Sequence, residues 1–211
     1  MVHNHDFLFL GQRHVWILGS SIVYWACRSV GQRKGGSNLG LQSMGYNIHW
    51  YGSRGMLWES LVSTVEHYLR FNPRPQVLII HLGSNDLGTM KGKELIENIK
   101  LDILRLRIYL PGVHLVWSEI LPRRYWHFAN NQANMEQTRK RVNVAVKSVF
   151  TTQIDNGFVI RHPNIRCQER NLYRYDGTHL SDVGNDIYLN NIQGALELFA
   201  NSNSRVFPDT Q

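Results

Sequence analysis

Cysteine is scarce in this chain, with two in 211 residues, Cys27 and Cys167. They lie far apart and lack CxxC spacing, which argues against a structural zinc site and against a disulfide-stapled scaffold. One bridge between them stays open, and two buried thiols are the plainer reading. Long apolar runs are missing too. No stretch approaches the roughly 20 apolar residues of a membrane span. Near the N-terminus only Phe7-Leu8-Phe9-Leu10 is continuously apolar, too short for the core of a secretory signal. These absences give the expectation of an intracellular protein, cytoplasmic by default. Low-complexity tracts are absent, so disorder is expected only at the ends.

What is present suits one globular domain. Hydrophobic residues make up 43% of the chain, and a domain of this length buries roughly 70–75% of its unfolded surface. We place the domain at residues 13–200, after an N-terminal extension at 1–12 and before a flexible, polar C-terminal tail at 201–211. The net charge is +7, with Arg105/Arg107, Arg123/Arg124 and Arg139-Lys140-Arg141 contributing much of it. A basic balance favours anionic partners, nucleic acid or an anionic membrane among them. Solvated helix faces explain the same residues, and no nucleic-acid-binding signature accompanies them.

Five short apolar runs read as strands: Val15 to Leu18, Tyr46 to Tyr51, Val77 to Ile80, Val113 to Trp117 and Gly157 to Ile160. Between them lie helical patterns, from Ile22 to Val30, Met56 to Leu69, Lys91 to Leu110 and Met135 to Phe150. A last helix runs from about Asp182 to Phe199, with Ser181 as its cap. Strands alternating with helices predict an α/β fold, a parallel sheet covered on both faces. Binding sites in such sheets lie at the carboxyl ends of the strands. Gly31 to Gly40 is rich in Gly, Ser and basic residues but lacks the phosphate-loop pattern.

Chemistry-bearing residues collect at those strand ends. Gly19-Ser20-Ser21 follows the first strand and opens a helix, where free N–H groups and the positive dipole end meet a developing anion. A plain N-cap explains these serines equally well. Gly83-Ser84-Asn85-Asp86 follows the third strand, and Asn and Asp after Gly also make ordinary turns. His81 is a ligand, a base or, more commonly at a strand end, a hydrogen-bonded structural residue. Asp176-Gly177-Thr178-His179 sets a carboxylate and an imidazole three residues apart. The connection from Ser118 to Asn134 is rich in Trp, Tyr, Arg and Asn. Its Arg123, Arg124, Tyr125 and Trp126 are candidates for a pocket wall, with surface packing the alternative.

Taken together and in this order, Gly-Ser-Ser, Gly-Ser-Asn-Asp and Asp-Gly-Thr-His resemble the blocks of the SGNH hydrolases, the GDSL-type esterases. The resemblance runs from about Arg13 to Ala200. It implies a three-layer α/β/α sandwich on a five-stranded parallel sheet, of flavodoxin-like kind. It also implies a serine esterase with Ser21 as nucleophile, His179 as base and Asp176 orienting it. Ser21 and Gly55 N–H groups and the Asn85 amide then form the oxyanion hole, with Gly52 the alternative to Gly55. Gly184 sits where many members carry a glycine. No metal or organic cofactor is called for, and the implied partner is a small ester, a lipid or an acetylated sugar. The first block departs from the usual Gly-Asp-Ser, having Ser20 in place of the aspartate. That departure leaves room for a weak or inactive binding module on the same fold. Trp117-Ser118-Glu119-Ile120-Leu121-Pro122 and Asn190-Asn191-Ile192-Gln193-Gly194-Ala195-Leu196 also resemble SGNH domains carried by vertebrate retrotransposons, a setting beside nucleic acid.

Overall fold

The structure, a computed structural model, describes residues 11–209. The N-terminal extension therefore falls, except for Gly11 and Gln12, outside the described residues. Six parallel strands form one sheet: β1 (Arg13–Gly19), β2 (Tyr46–Gly52), β3 (Val77–His81), β4 (His114–Ser118), β5 (Gly157–Ile160) and β6 (Val206–Phe207), in the order β2-β1-β3-β4-β5-β6. Five helices connect them: α1 (Ser21–Val30), α2 (Leu61–Leu69), α3 (Gly92–Tyr109), α4 (Gln132–Thr152) and α5 (Asp182–Asn201).

The inner strands β1, β3, β4 and β5 are largely buried on both faces, which is why they read as unbroken apolar runs rather than alternating ones, whereas the edge strand β2 is mostly half-buried and carries Asn47 and His49. Trp16 and Leu18 of β1, with Leu78, Ile80, Leu115, Trp117 and Val159, pack with residues of α2, α3 and α4. The intervening Val15 and Ile17, with Val77, Ile79, Val116 and Ile160, pack with residues of α1 and α5. One sheet thus separates two cores, giving the expected three layers. Among the described residues no helix is long and apolar enough to cross a membrane.

The sheet has six strands where five were expected. Val206 and Phe207, in the segment assigned to a tail, pair in parallel with Val159 and Ile160. Arg205 anchors this addition through bonds to the carbonyls of Gly157, Phe150 and Ile154. Two residues are too few to carry a strand pattern in sequence; the neighbouring edge of β5 and the Arg205 anchor make the pairing. Ser181 caps α5 as expected, accepting from the Gly184 N–H at 3.1 Å. At Gly184 any Cβ would stand 2.1 Å from the Leu172 carbonyl oxygen. Only glycine lets α5 start this close to the segment that precedes it.

Candidate active site

The strand order changes direction at β1, which has β2 on one side and β3 on the other. Carboxyl ends beside such a switch point splay the following loops apart and leave a crevice. Ser21 follows β1 and Asn85 follows β3, on the two lips of that crevice.

Ser20 occupies the N-cap of α1 and Ser21 its first turn. The first intrahelical bond runs from Tyr24 N–H to the Ser20 carbonyl at 3.0 Å. The N–H groups of Ser21, Ile22 and Val23 therefore lack helical acceptors, as at any helix start. Ser20 is no ordinary cap: its hydroxyl makes no capping bond and is buried without a partner. Ser21 is 7% exposed.

The loop after β2 separates the two glycine candidates. A Cβ on Gly52 would meet the α1 backbone, 2.3 Å from Tyr24 N, so Gly52 is required by packing. Gly55 sits in a turn at φ +75°, with open space where a Cβ would stand. Left-handed backbone, not crowding, selects glycine there.

Asn85 does not make the local turn bonds that would explain it away. Its Nδ2 donates to the Met56 carbonyl at 3.1 Å, and its Oδ1 accepts from Arg123 Nη2 at 2.9 Å. The neighbouring Asp86 is the structural member of the block. It is buried and accepts the Trp58 N–H at 2.9 Å, and burial pushes its carboxyl up from the ordinary carboxylate range.

Asp176 and His179 are brought into direct contact. Asp176 Oδ2 lies 2.7 Å from His179 Nδ1, while Oδ1 accepts the N–H groups of Thr178 and His179, each at 2.9 Å. Burial alone would raise this carboxyl. The bonds from the His179 ring, the His179 N–H and the Thr178 N–H outweigh it and hold the pKa at about 2. The imidazole is thus presented with Nδ1 bound to a carboxylate, which leaves Nε2 as the basic nitrogen of the neutral ring.

The loop from Glu119 to Asn131 is fastened to the Asp176–His179 turn. Arg124 N–H donates to the Gly177 carbonyl at 2.8 Å, His127 Nε2 lies 3.0 Å from the Asp176 carbonyl, and Thr178 Oγ1 donates to the Tyr125 carbonyl at 3.3 Å. Trp25 marks where this turn sits against α1. Its ring meets that of His179 edge-on with centroids 6.5 Å apart, and the Arg174 guanidinium covers it at 4.0 Å. Trp25 lies one turn beyond Ser21, so His179 flanks the start of α1. No hydrogen bond joins Ser21 to His179 among the described residues.

The four pocket-wall candidates divide. Trp126 is 4% exposed and packs in the core, its ring under the Arg123 guanidinium at 4.8 Å. Arg124 packs its Cβ on Gly177. Tyr125 is exposed, as is Phe128, which is 87% exposed and stands beside Gly88 after the Asn85 turn. Tyr175, next to Asp176, is also fully exposed. Sequence reasoning missed Trp25, Arg174 and the Met56 carbonyl, since none carries a motif.

His81 belongs to a second assembly. Its Nδ1 lies 3.0 Å from Ser118 Oγ, which lies 2.9 Å from His162 Nε2. Asn191 Nδ2 reaches His162 Nδ1 at 3.0 Å, and Tyr188 stacks on His162. Ser118 is completely buried. This is a serine between two histidines without a carboxylate, and His81 has the structural role.

No protein-family model matches the chain, and no curated protein matches it. Solved structures do. A GDSL-like lipase from Bacteroides thetaiotaomicron superposes with a TM-score of 0.64 at 16% identity, over 88% of each chain. A carbohydrate esterase family 3 protein from Talaromyces cellulolyticus gives 0.66 at 16% identity, over 92% of this chain and 100% of that one. A member of the lipolytic protein G-D-S-L family from Veillonella parvula gives 0.66 at 14% identity, over 90% and 100%. The fold is thus the one that GDSL-type lipases and esterases share.

Proposed function

We propose that this protein is a serine ester hydrolase of the SGNH type, acting on a small acyl ester. The observation that carries the reading is the Asp176–His179 pair, built by three bonds to one carboxylate and set against the start of α1. Ser21 Oγ attacks the ester carbonyl as His179 Nε2 takes its proton, and the same proton then goes to the leaving alcohol. Asp176 holds the ring in the useful tautomer and offsets the charge of the imidazolium. The N–H groups of Ser21 and Gly55 and the second Nδ2 hydrogen of Asn85 receive the oxyanion. The Gly55 assignment is favoured over Gly52 because packing already accounts for Gly52. The exposed rings of Tyr125, Phe128 and Tyr175 offer stacking surface beside the reacting ester. That suits an acyl chain or an acylated sugar, the substrate types that the lipase and carbohydrate esterase neighbours bring to mind.

A fluorophosphonate probe tests the reading without a choice of substrate, because it reacts with an activated serine. Wild type should label, and Ser21→Ala should lose the label. Ester turnover should fall by about 10⁶-fold in the same variant. A folded wild type that neither labels nor hydrolyses esters would overturn the assignment.

A further inference from the structure

Arg123 makes a set of contacts that pocket lining does not account for. It reaches from the loop after β4 across to the loop after β3. There its Nη2 donates to Ser84 Oγ and Asn85 Oδ1, both at 2.9 Å. Its guanidinium lies over the Trp126 ring, and it forms no ion pair among the described residues. Burial draws its pKa down to about 10 and nearby Asp176 holds it up, so it is cationic at neutral pH. A largely desolvated charge with no paired carboxylate is costly to the fold. Its neighbour is the side chain assigned to the oxyanion.

A side-chain amide has two nearly isosteric orientations, and only one presents N–H groups to the site. A guanidinium has donors and no acceptor. Arg123 therefore demands Oδ1 on its own side of Asn85 and turns Nδ2 toward the Met56 carbonyl. One Nδ2 hydrogen is used there, and the second is left for the substrate. A cation on Oδ1 also polarises the amide and strengthens its N–H as a donor. Of the five N–H donors of the guanidinium, the two on Nη2 go to Ser84 and Asn85. The charge itself stands next to where the oxyanion develops, in surroundings drier than water.

We infer that Arg123 is the positioning residue of the oxyanion hole, locking and polarising the Asn85 amide so that it donates to the transition state. The inference rests on the esterase reading. Its effect belongs to the chemical step, so Arg123→Met should lower kcat with little change in KM. We expect a loss of roughly ten- to a hundredfold, short of the 10²–10³ typical of removing an oxyanion donor outright.

The test is a double-mutant cycle on 4-nitrophenyl acetate hydrolysis with wild type, R123M, N85A and R123M/N85A, alongside fluorophosphonate labelling. If Arg123 acts through Asn85, N85A costs far less in the R123M background than in wild type. R123K, which restores the charge and one or two donors, should recover part of kcat. If R123M does not fold, R123Q, which keeps a donor but no charge, is put through the same cycle. An active wild type with kcat unchanged in the Arg123 variant overturns the inference alone, as do strictly additive losses with Asn85. A wild type that neither labels nor turns over overturns the esterase reading and this inference with it.

Discussion

Two histidine-centred assemblies stand at the carboxyl ends of this sheet, and they have opposite chemical characters. His179 has a carboxylate on Nδ1 and is partly open to solvent, beside a helix start that carries Ser21. His81 and His162 have a serine between them, no carboxylate partner among the described residues, and are buried. The second assembly contains direct serine–histidine side-chain bonds, which the first lacks among the described residues, yet it is the poorer candidate for catalysis. Asn191 donates to His162 Nδ1 and to Asn164 Oδ1, so His162 must carry its proton on Nε2 and donate to Ser118. The Ser118 hydroxyl then donates to His81 Nδ1. Both rings are held neutral by burial, which disfavours their charged forms. A hydrogen bond between serine and histidine is therefore weak evidence of a nucleophile. A carboxylate behind the histidine, and access in front of it, count for more.

Acid titration should separate the two assemblies by the largest margin. Burial drives His81 down to about 3, against the pull of a bond to the Ser118 backbone and aided by the Arg123 charge. Burial and then the His81 ring put His162 well below the ordinary imidazole range. Both folded-state values lie below the unfolded value near 6.5, so below that pH the unfolded chain binds more protons. Stability is then lost as pH falls. For two such histidines the loss is roughly 3 kcal/mol between pH 6.5 and 5. Asp176 behaves in the opposite region. Its depressed carboxyl contributes above about pH 3.8, and that contribution disappears as pH falls toward 2. Asp86 and Glu119, raised by burial, oppose the loss as pH falls toward their unfolded values, so the histidine contribution is read between about pH 6.5 and 5 as the difference between wild type and a histidine variant. Urea midpoints across this range should fall for wild type and fall less steeply in His162→Gln, which leaves the His81 contribution. Constant midpoints would sink the neutral-pair assignment.

Ser118→Ala should show the next largest effect, on stability alone. It leaves a buried donor on His162 and a buried acceptor on His81 without partners, a cost of about 1–3 kcal/mol. Fluorophosphonate labelling and ester turnover of the folded variant should match wild type. Loss of labelling with the fold intact would make Ser118 part of the machinery and reverse the comparison.

The sheet was legible because a strand buried on both faces must be apolar throughout, and Val77-Leu78-Ile79-Ile80 is nothing else. The helices were legible through their apolar periodicity: Ile99, Ile103 and Leu106 on α3 and Val142, Val146 and Val149 on α4 are buried, while Ile96 and Ala145, which the same periodicity turns inward, are only half-buried. Asp176 and His179 were legible because their contact is local. What stayed hidden depends on contacts between distant segments. Arg123 meets Asn85 across 38 positions, and Ser118 meets His162 across 44. Nothing near Arg123 in sequence separates it from Arg124, whose backbone and Cβ serve Gly177 instead. The basic stretches show the same limit. Arg139 is buried, bonded to Glu136 and the Ile120 carbonyl, so the Arg139-Lys140-Arg141 run is not a uniform charged face.

The finest version of the comparison lies within two adjacent residues, Ser20 and Ser21. In the resemblance to the SGNH blocks Ser20 stands where an aspartate is usual, and by sequence either serine could cap the helix or act in it. The structure gives them different surroundings. Ser20 Oγ is buried with no partner, while its backbone does the structural work, N–H to the His81 carbonyl at 3.4 Å and carbonyl to Tyr24 N–H at 3.0 Å. Removing an unsatisfied buried hydroxyl takes away a desolvated group and leaves both backbone bonds in place. Ser20→Ala should therefore change stability by no more than about 0.5 kcal/mol, in either direction. It should also keep fluorophosphonate labelling within about twofold of wild type, where Ser21→Ala removes it. Thermal denaturation and labelling of the two variants side by side decide the matter. A loss of labelling in Ser20→Ala would mean that its hydroxyl does part of the work of the missing aspartate, and the boundary between scaffold and site would move one residue toward the sheet.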